Sequence, residues 1–306
     1  MELNSSNYFS PEMSLKFLGV SQYKNFCGSI SKQGCEERSL AILNGTWEEK
    51  KTTALLVGSF VDSFFEGTLD TFKAENPEIF TKRIVETEAT VNLLPAEYIT
   101  RNGTLKRDKL TEAKELYPDA FYIQYDLKAD YKRAEDIIER TMRDELFMNY
   151  MSGQKQVIMT ADMFGPPWKI KIDSYHPGLM LVDLKVMASL RDMKYSKDYG
   201  YMNFVHQWGY YIQGAVYQEV VYRNTGKRLP FFLAAVSKEE YPDIEIIQLE
   251  QNLMDEALIE VERNTPNIVA LKNGEVKPTR CGVCDYCKHT KVLTRPIWSS
   301  ELVGTV

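Results

Sequence analysis

Residues 169–187, KIKIDSYHPGLMLVDLKVM, constrain the fold of this chain more than any other stretch. Two runs of alternating apolar and polar residues flank the turn-forming His176-Pro177-Gly178, a pattern that specifies a β-hairpin. Asp173 falls near the end of the first strand. Asp183 and Lys185 fall on the second. Strand side chains repeat their facing every two residues, so Asp183 and Lys185 share one face and Leu184 takes the other. Loop length decides whether the two acids meet. With the two-residue loop Pro177-Gly178, Asp173 pairs with Val182 and faces away from Asp183. A three-residue loop or a bulge brings the acids together, and one of these is expected here.

The flanking chain reads as an α/β core around that hairpin. Strands are expected over 154–164, 167–174, 179–187, 230–237 and 243–248. Residues 52–67, TTALLVGSFVDSFFEG, form an apolar helix ended by Gly67. Its acids Asp62 and Glu66 stand four apart and share a face. Residues 13–45 are helical with a break near Gly28–Gly34. A further amphipathic helix spans 130–150, with Ile137, Ile138, Met142, Leu146 and Phe147 as its apolar stripe. An aromatic helix spans about 199–224, and another runs from 249 to 264 or as far as 273. Residues 70–150 read as an insertion over a core of about 52–248, with a less regular part over 70–128. A cysteine-bearing segment, 274–306, closes what is expected to be a single domain over 1–306.

The chain has 306 residues, enough to bury a full core. Hydrophobic content of 44% with 26% charged residues is that of a soluble globular protein. No apolar run approaches the ~18 residues of a membrane span. The opening MELNSSNYFS lacks a signal-peptide pattern, which makes the cytoplasm the expected location. A formal net charge of -6 argues against a globally basic nucleic-acid coat protein, though not against basic residues lining one groove.

Three constellations carry chemistry. Asp173 and Asp183 are suitable ligands for a hard divalent cation, and the Leu184 carbonyl offers a third oxygen. Lys185 beside them can position an attacking water or stabilise negative charge. On the following helix, Gln213 and Tyr217 stand four apart on one face, with Trp208 and Tyr210 nearby. Finally, Cys281-Gly-Val-Cys284-Asp-Tyr-Cys287 has metal-ligand spacing. Its fourth ligand would be Cys35, Cys27 or His289.

In this order and on these elements, the residues resemble the RecB-like branch of the PD-(D/E)XK nuclease superfamily. Gly58 and Asp62 occupy the place of the branch's glycine–histidine helix motif, with Asp replacing His. Asp173 takes the first core acid, Asp183-Leu184-Lys185 the D-x-K triplet, and Gln213 with Tyr217 the Q-x-x-x-Y motif. The resemblance implies a restriction-endonuclease-like core, a central mixed sheet flanked by helices, with helical N-terminal and cysteine-bearing C-terminal decorations. It implies magnesium or manganese near Asp62, Asp173, Asp183 and the Leu184 carbonyl, with Glu66 as a helper. Lys185 would assist the attacking water. Gln213 and Tyr217 would orient the lysine or contact the DNA backbone.

One cysteine before the motifs and three after them is an AddB-like layout. It implies a four-iron iron-sulfur cluster on Cys35, Cys281, Cys284 and Cys287, acting as a structural clasp. The last spacing is shorter than in AddB, which leaves zinc as an alternative. The compact chain is most similar to phage or prophage RecE- and lambda-exonuclease-like proteins. These imply resection of linear duplex DNA ends for recombination, a single-strand annealing partner, and a ring that presents Lys106, Arg107 and Lys109 to a channel. Two other readings are a structure-specific or restriction-like endonuclease and a non-catalytic DNA-binding module.

Overall fold

The computed structural model describes residues 3–85 and 91–301. Part of the 70–150 insertion, residues 86–90, therefore lies outside the described residues. The central sheet has five strands: β1 (Gln154–Asp162), β2 (Pro167–His176), β3 (Met180–Met187), β4 (Phe231–Ser237) and β5 (Ile244–Gln248). Their spatial order is β5-β4-β3-β2-β1. Only β3 and β4 pair in parallel, so the sheet is mixed. All five strands form where the alternating pattern places them, because side-chain facing is a local property of the extended chain.

The sheet is covered on both faces. One face packs against α1 (Val20–Cys27), α2 (Glu36–Leu43), α5 (Tyr210–Thr225) and α6 (Gln251–Lys272), around Trp168, Ile170, Leu181 and Leu233. The other packs against α3 (Thr53–Glu66) and α4 (Ala129–Met142), around Val182, Leu184, Ala234 and Val236. α5 is buried on nearly every side over Tyr211–Val221. Gly214 makes this possible: a Cβ there would meet Met254 Sδ at 2.7 Å and Leu249 Cδ1 at 2.9 Å. This helix brings Gln213 and Tyr217 under the hairpin.

Three expectations change. The helix expected over 199–224 begins at Tyr210. Residues Lys194–Ser196 and Gly200–Met202 instead pair as a small antiparallel hairpin, and the short helix Phe204–Gln207 ends before Gly209, whose φ is 60°. A left-handed residue there breaks the helix that aromatic periodicity alone would extend. The 130–150 helix divides at Asp144, whose side chain caps Glu145–Tyr150 by accepting from Phe147 N at 2.8 Å. Met142 and Leu146, expected on its apolar stripe, are exposed, and Tyr131, Ala134, Ile137 and Ile138 carry the burial. Conversely, the stretch from 70 to 128 is more ordered than expected. Phe80–Val85 pairs with Tyr122–Leu127, and Leu94, Tyr98, Leu105, Ala113 and Ala120 form a small core of their own.

Candidate active site

The hairpin register is Ser174↔Val182, Tyr175↔Leu181 and His176↔Met180. The loop is therefore the three residues Pro177-Gly178-Leu179, with Gly178 at φ 74°. Continued by one step, this register sets Asp173 opposite Asp183, as the meeting of the two acids requires. The ladder stops there. Leu184 N–H donates to Asp173 Oδ2 at 2.9 Å, so the carboxylate takes a donor freed from the ladder. Alternation along β2 is interrupted at the same point, because Ile170, Ile172 and Tyr175 all pack into one cluster although the last two are three apart. On the neighbouring strand Gln156 adopts φ 53°, and its Nε2 donates to Asp173 Oδ1 at 3.2 Å. Both oxygens of Asp173 are thus fixed.

Asp183 is 3% exposed. Gln213 Nε2 donates to its Oδ1 at 2.6 Å, and Lys185 Nζ forms an ion pair with its Oδ2. Gln213 therefore orients the acid rather than the lysine. Tyr217 OH donates to the Lys171 carbonyl at 3.0 Å and ties α5 to β2. On α5 the contact of Lys185 is the Tyr210 ring, 4.9 Å from Nζ to centroid. Burial alone would lower the lysine's pKa, but Asp183, Tyr210 and Asp173 outweigh it and raise it above the ordinary range.

Asp62 and Glu66 come from α3 into a cleft of about 650 Å³ that Asp173, Asp183, Leu184, Lys185 and Lys171 also line. Burial, followed by Asp183 and Glu66, pushes the Asp62 carboxyl up to about 7 against the pull of Lys185 and Lys171. Asp173 is raised well above the usual carboxylate range by burial, Asp183 and Asp62. Asp62 and Asp173, buried beside further acids, lack enough nearby positive charge to ionise freely, which is the electrostatic condition for binding a divalent cation.

This arrangement has a sign for stability. Both raised carboxyls bind protons in the folded state that the unfolded chain has released. The metal-free protein should therefore lose stability as pH rises from the ordinary carboxylate range through about 7. The rise at Asp62 alone corresponds to at most about 4 kcal/mol, reduced by solvent in the open cleft to about 2 kcal/mol. In melting curves taken with chelator, Tm should fall between about pH 5 and about pH 7.5, and millimolar magnesium or manganese should restore it at the upper end. A flat profile without metal would contradict the acid cluster.

Several residues in or beside the cleft escape sequence reading. Lys171 had a signal, since it lies two residues before Asp173 on an alternating strand. Tyr8, Phe9 and Gln156 had none. Lys24 of α1 donates to the Trp208 carbonyl at 2.8 Å and lies 5.0 Å from the Tyr210 ring centroid. Burial first, then Lys185, lowers it to about 7. Of the basic run expected to face a channel, Lys106 donates to the Glu97 carbonyl at 2.8 Å and Lys109 pairs with Glu112 at 2.7 Å.

The cysteine constellation assembles from segments far apart in the chain. Cys35 caps α2, and Cys284 caps the short helix Asp285–His289. Cys35 Sγ lies 3.6 Å from Cys287 Sγ, which lies 3.9 Å from Cys281 Sγ. All four sulfurs, including that of Cys284, fall within 4.8 Å of one another. Burial opposes ionisation of Cys281, but backbone N–H groups of Val283 and Cys284 lower its thiol to about 7. Cys27 is exposed and outside the group, and His289 lies instead against the Trp47 ring. Arg280 pairs with Glu37 at 2.7 Å, and Glu36 accepts from Thr279 N–H at 2.7 Å. The two segments are therefore joined by polar contacts where their sulfurs approach.

A mixed five-stranded sheet, a D-x-K strand facing a second acid, and a helix-borne Gln behind them define the PD-(D/E)XK nuclease superfamily. The chain belongs to the family described as a PDDEXK-like domain of unknown function (DUF3799), whose model matches residues 19–290. It is also similar to the crystal structure of a "putative exonuclease" from Eubacterium rectale, at 49% identity and a TM-score of 0.83, with 100% of each chain covered. Among curated proteins there is no match. Among the described residues, no helix is long and apolar enough to cross a membrane.

Proposed function

We propose that the protein is a divalent-metal-dependent deoxyribonuclease that digests linear duplex DNA from its ends. The observation that carries this reading is the convergence of Asp62, Asp173 and Asp183 on one cleft with Lys185 beside them. Asp62, Asp173, Asp183 and the Leu184 carbonyl would hold magnesium or manganese. That ion supplies an acidified water and neutralises phosphate charge. Lys185 adds a fixed cation at the reacting phosphate, and Gln213 holds Asp183 in place for it. Asp62 stands where the branch places histidine; as a hard oxygen ligand it suits the same ions. Similarity to a protein described as a putative exonuclease supports end-directed digestion. By the resemblance to RecE- and lambda-exonuclease-like proteins, the single strand left would pass to an annealing protein during phage-type recombination in the cytoplasm, with the nuclease working as a ring.

For the cysteine site, the sulfur spacing favours one tetrahedral ion. Thiolates about 2.3 Å from a shared zinc stand about 3.8 Å apart, close to the 3.6 and 3.9 Å found here. A four-iron cluster places each thiolate on a different iron and so spreads the sulfurs further. Zinc is therefore preferred over the iron-sulfur cluster that the cysteine layout implies. The site's role in either form is structural.

The nuclease reading is tested with linear duplex and covalently closed circular plasmid, in magnesium and in chelator. Linear DNA should be consumed only with metal, and closed circles should survive. Cleavage of closed circles would assign an endonuclease. DNA binding without cleavage of either substrate in any divalent metal would assign a non-catalytic module.

A further inference from the structure

We propose that Phe9 is a stacking platform for the terminal nucleobase of the strand being cut, and so a positioning residue for the reaction. This rests on the nuclease reading above. Phe9 lines the same cleft as Asp62, Asp173, Asp183 and Lys185, yet it is 76% exposed. An aromatic ring on a loose segment would fold back onto apolar surface. Here the backbone on both sides is held. Tyr8 is buried, its carbonyl accepts from Lys169 Nζ, and the same ammonium lies 4.7 Å from the centroid of its ring. Ser10 caps the helix Pro11–Lys16 by accepting from Met13 N at 3.3 Å, and its own N–H donates to the Asn7 carbonyl at 2.9 Å. The exposure of Phe9 is thus imposed by anchored neighbours.

The surroundings select the ligand. Lys171 Nζ lies 5.2 Å from the Phe9 centroid and lines the cleft. An exposed π-face beside a cation, at the rim of an acid-lined cleft, matches a nucleotide. The phosphate meets the metal and lysines, and the flat base meets the ring. Such stacking tolerates any sequence because every base has a π-face. It also favours ends. A terminal base has a stacking neighbour on one side only, so moving it onto Phe9 costs less than extracting an internal base.

The test separates stacking from catalysis. In an Asp183→Asn background, a short duplex carrying 2-aminopurine at its terminus should change fluorescence on binding. Phe9→Ala should abolish that change and Phe9→Trp should retain it. In the active protein, kcat/KM on a terminus bearing a base should exceed that on a terminal abasic site by about tenfold. Phe9→Ala should remove this ratio and Phe9→Trp should restore it, with unchanged melting curves as the fold control. Equal discrimination in wild type and Phe9→Ala overturns the proposal. If the wild type cleaves nothing, the nuclease reading fails while the fluorescence arm still decides whether Phe9 stacks on a base.

Discussion

Lys185→Ala should reduce digestion of linear duplex DNA about a thousandfold while leaving the protein folded and able to bind divalent metal. The Lys185 ammonium is ion-paired to Asp183 and lies over Tyr210, so its position is set before substrate arrives. Preorganised positive charge at a developing anion is worth about 10²–10³ in rate, and loss of a group proposed also to position the water places the effect at the upper end. Removing the lysine also removes the cation that lowers Asp62. The acid cluster then carries more uncompensated charge, and metal affinity measured by calorimetry should hold or rise. A catalytic role therefore shows as activity lost with metal binding kept. Asp183→Ala should lose both, because it removes a proposed ligand and strands Gln213 and Lys185. Undiminished digestion by Lys185→Ala would remove the lysine from the mechanism and reopen the non-catalytic reading.

Cys287→Ser should lower Tm by about 10 °C and abolish bound metal at the cysteine site. Cys287 is 2% exposed and sits between the sulfurs of Cys35 and Cys281. Structural zinc contributes directly to folding, and a loss of several kcal/mol in a chain of this size shifts Tm by about this much. Wild-type protein should be colourless and carry one zinc per chain by elemental analysis. Brown protein with several irons per chain would overturn the zinc assignment in favour of the cluster. Cys27→Ser should leave metal content and Tm unchanged, since Cys27 lies outside the group. The two proposed metal sites should be separable: Asp183→Ala should keep any zinc held by the cysteines, and Cys287→Ser should affect digestion only through stability.

Most of the architecture is legible in the amino-acid order. Period-two alternation locates the five strands, and the spacing of Gln213 from Tyr217 sets both on one face of a helix. Where the expected helix boundaries fail, a single position is responsible. Gly209 at φ 60° divides the aromatic helix, and Asp144 caps a new helix where the apolar stripe runs on. Neither residue differs in type from others that leave a helix intact, so only the surrounding packing reveals the break.

The sequence by itself determined which face of each element carries Asp183, Lys185, Gln213 and Tyr217, because side-chain facing follows from local backbone geometry. It also set the CxxCxxC spacing, which suits three thiolates to one metal centre. The tertiary structure decided what depends on distances between elements. It chose the three-residue loop that sets Asp173 opposite Asp183, brought Asp62 into the same cleft, selected Cys35 over Cys27 and His289, and placed Phe9 at the rim. The pKa of a buried acid belongs to this second group. It depends on how much water the fold excludes and which charges it brings near, and neither is a property of position along the chain.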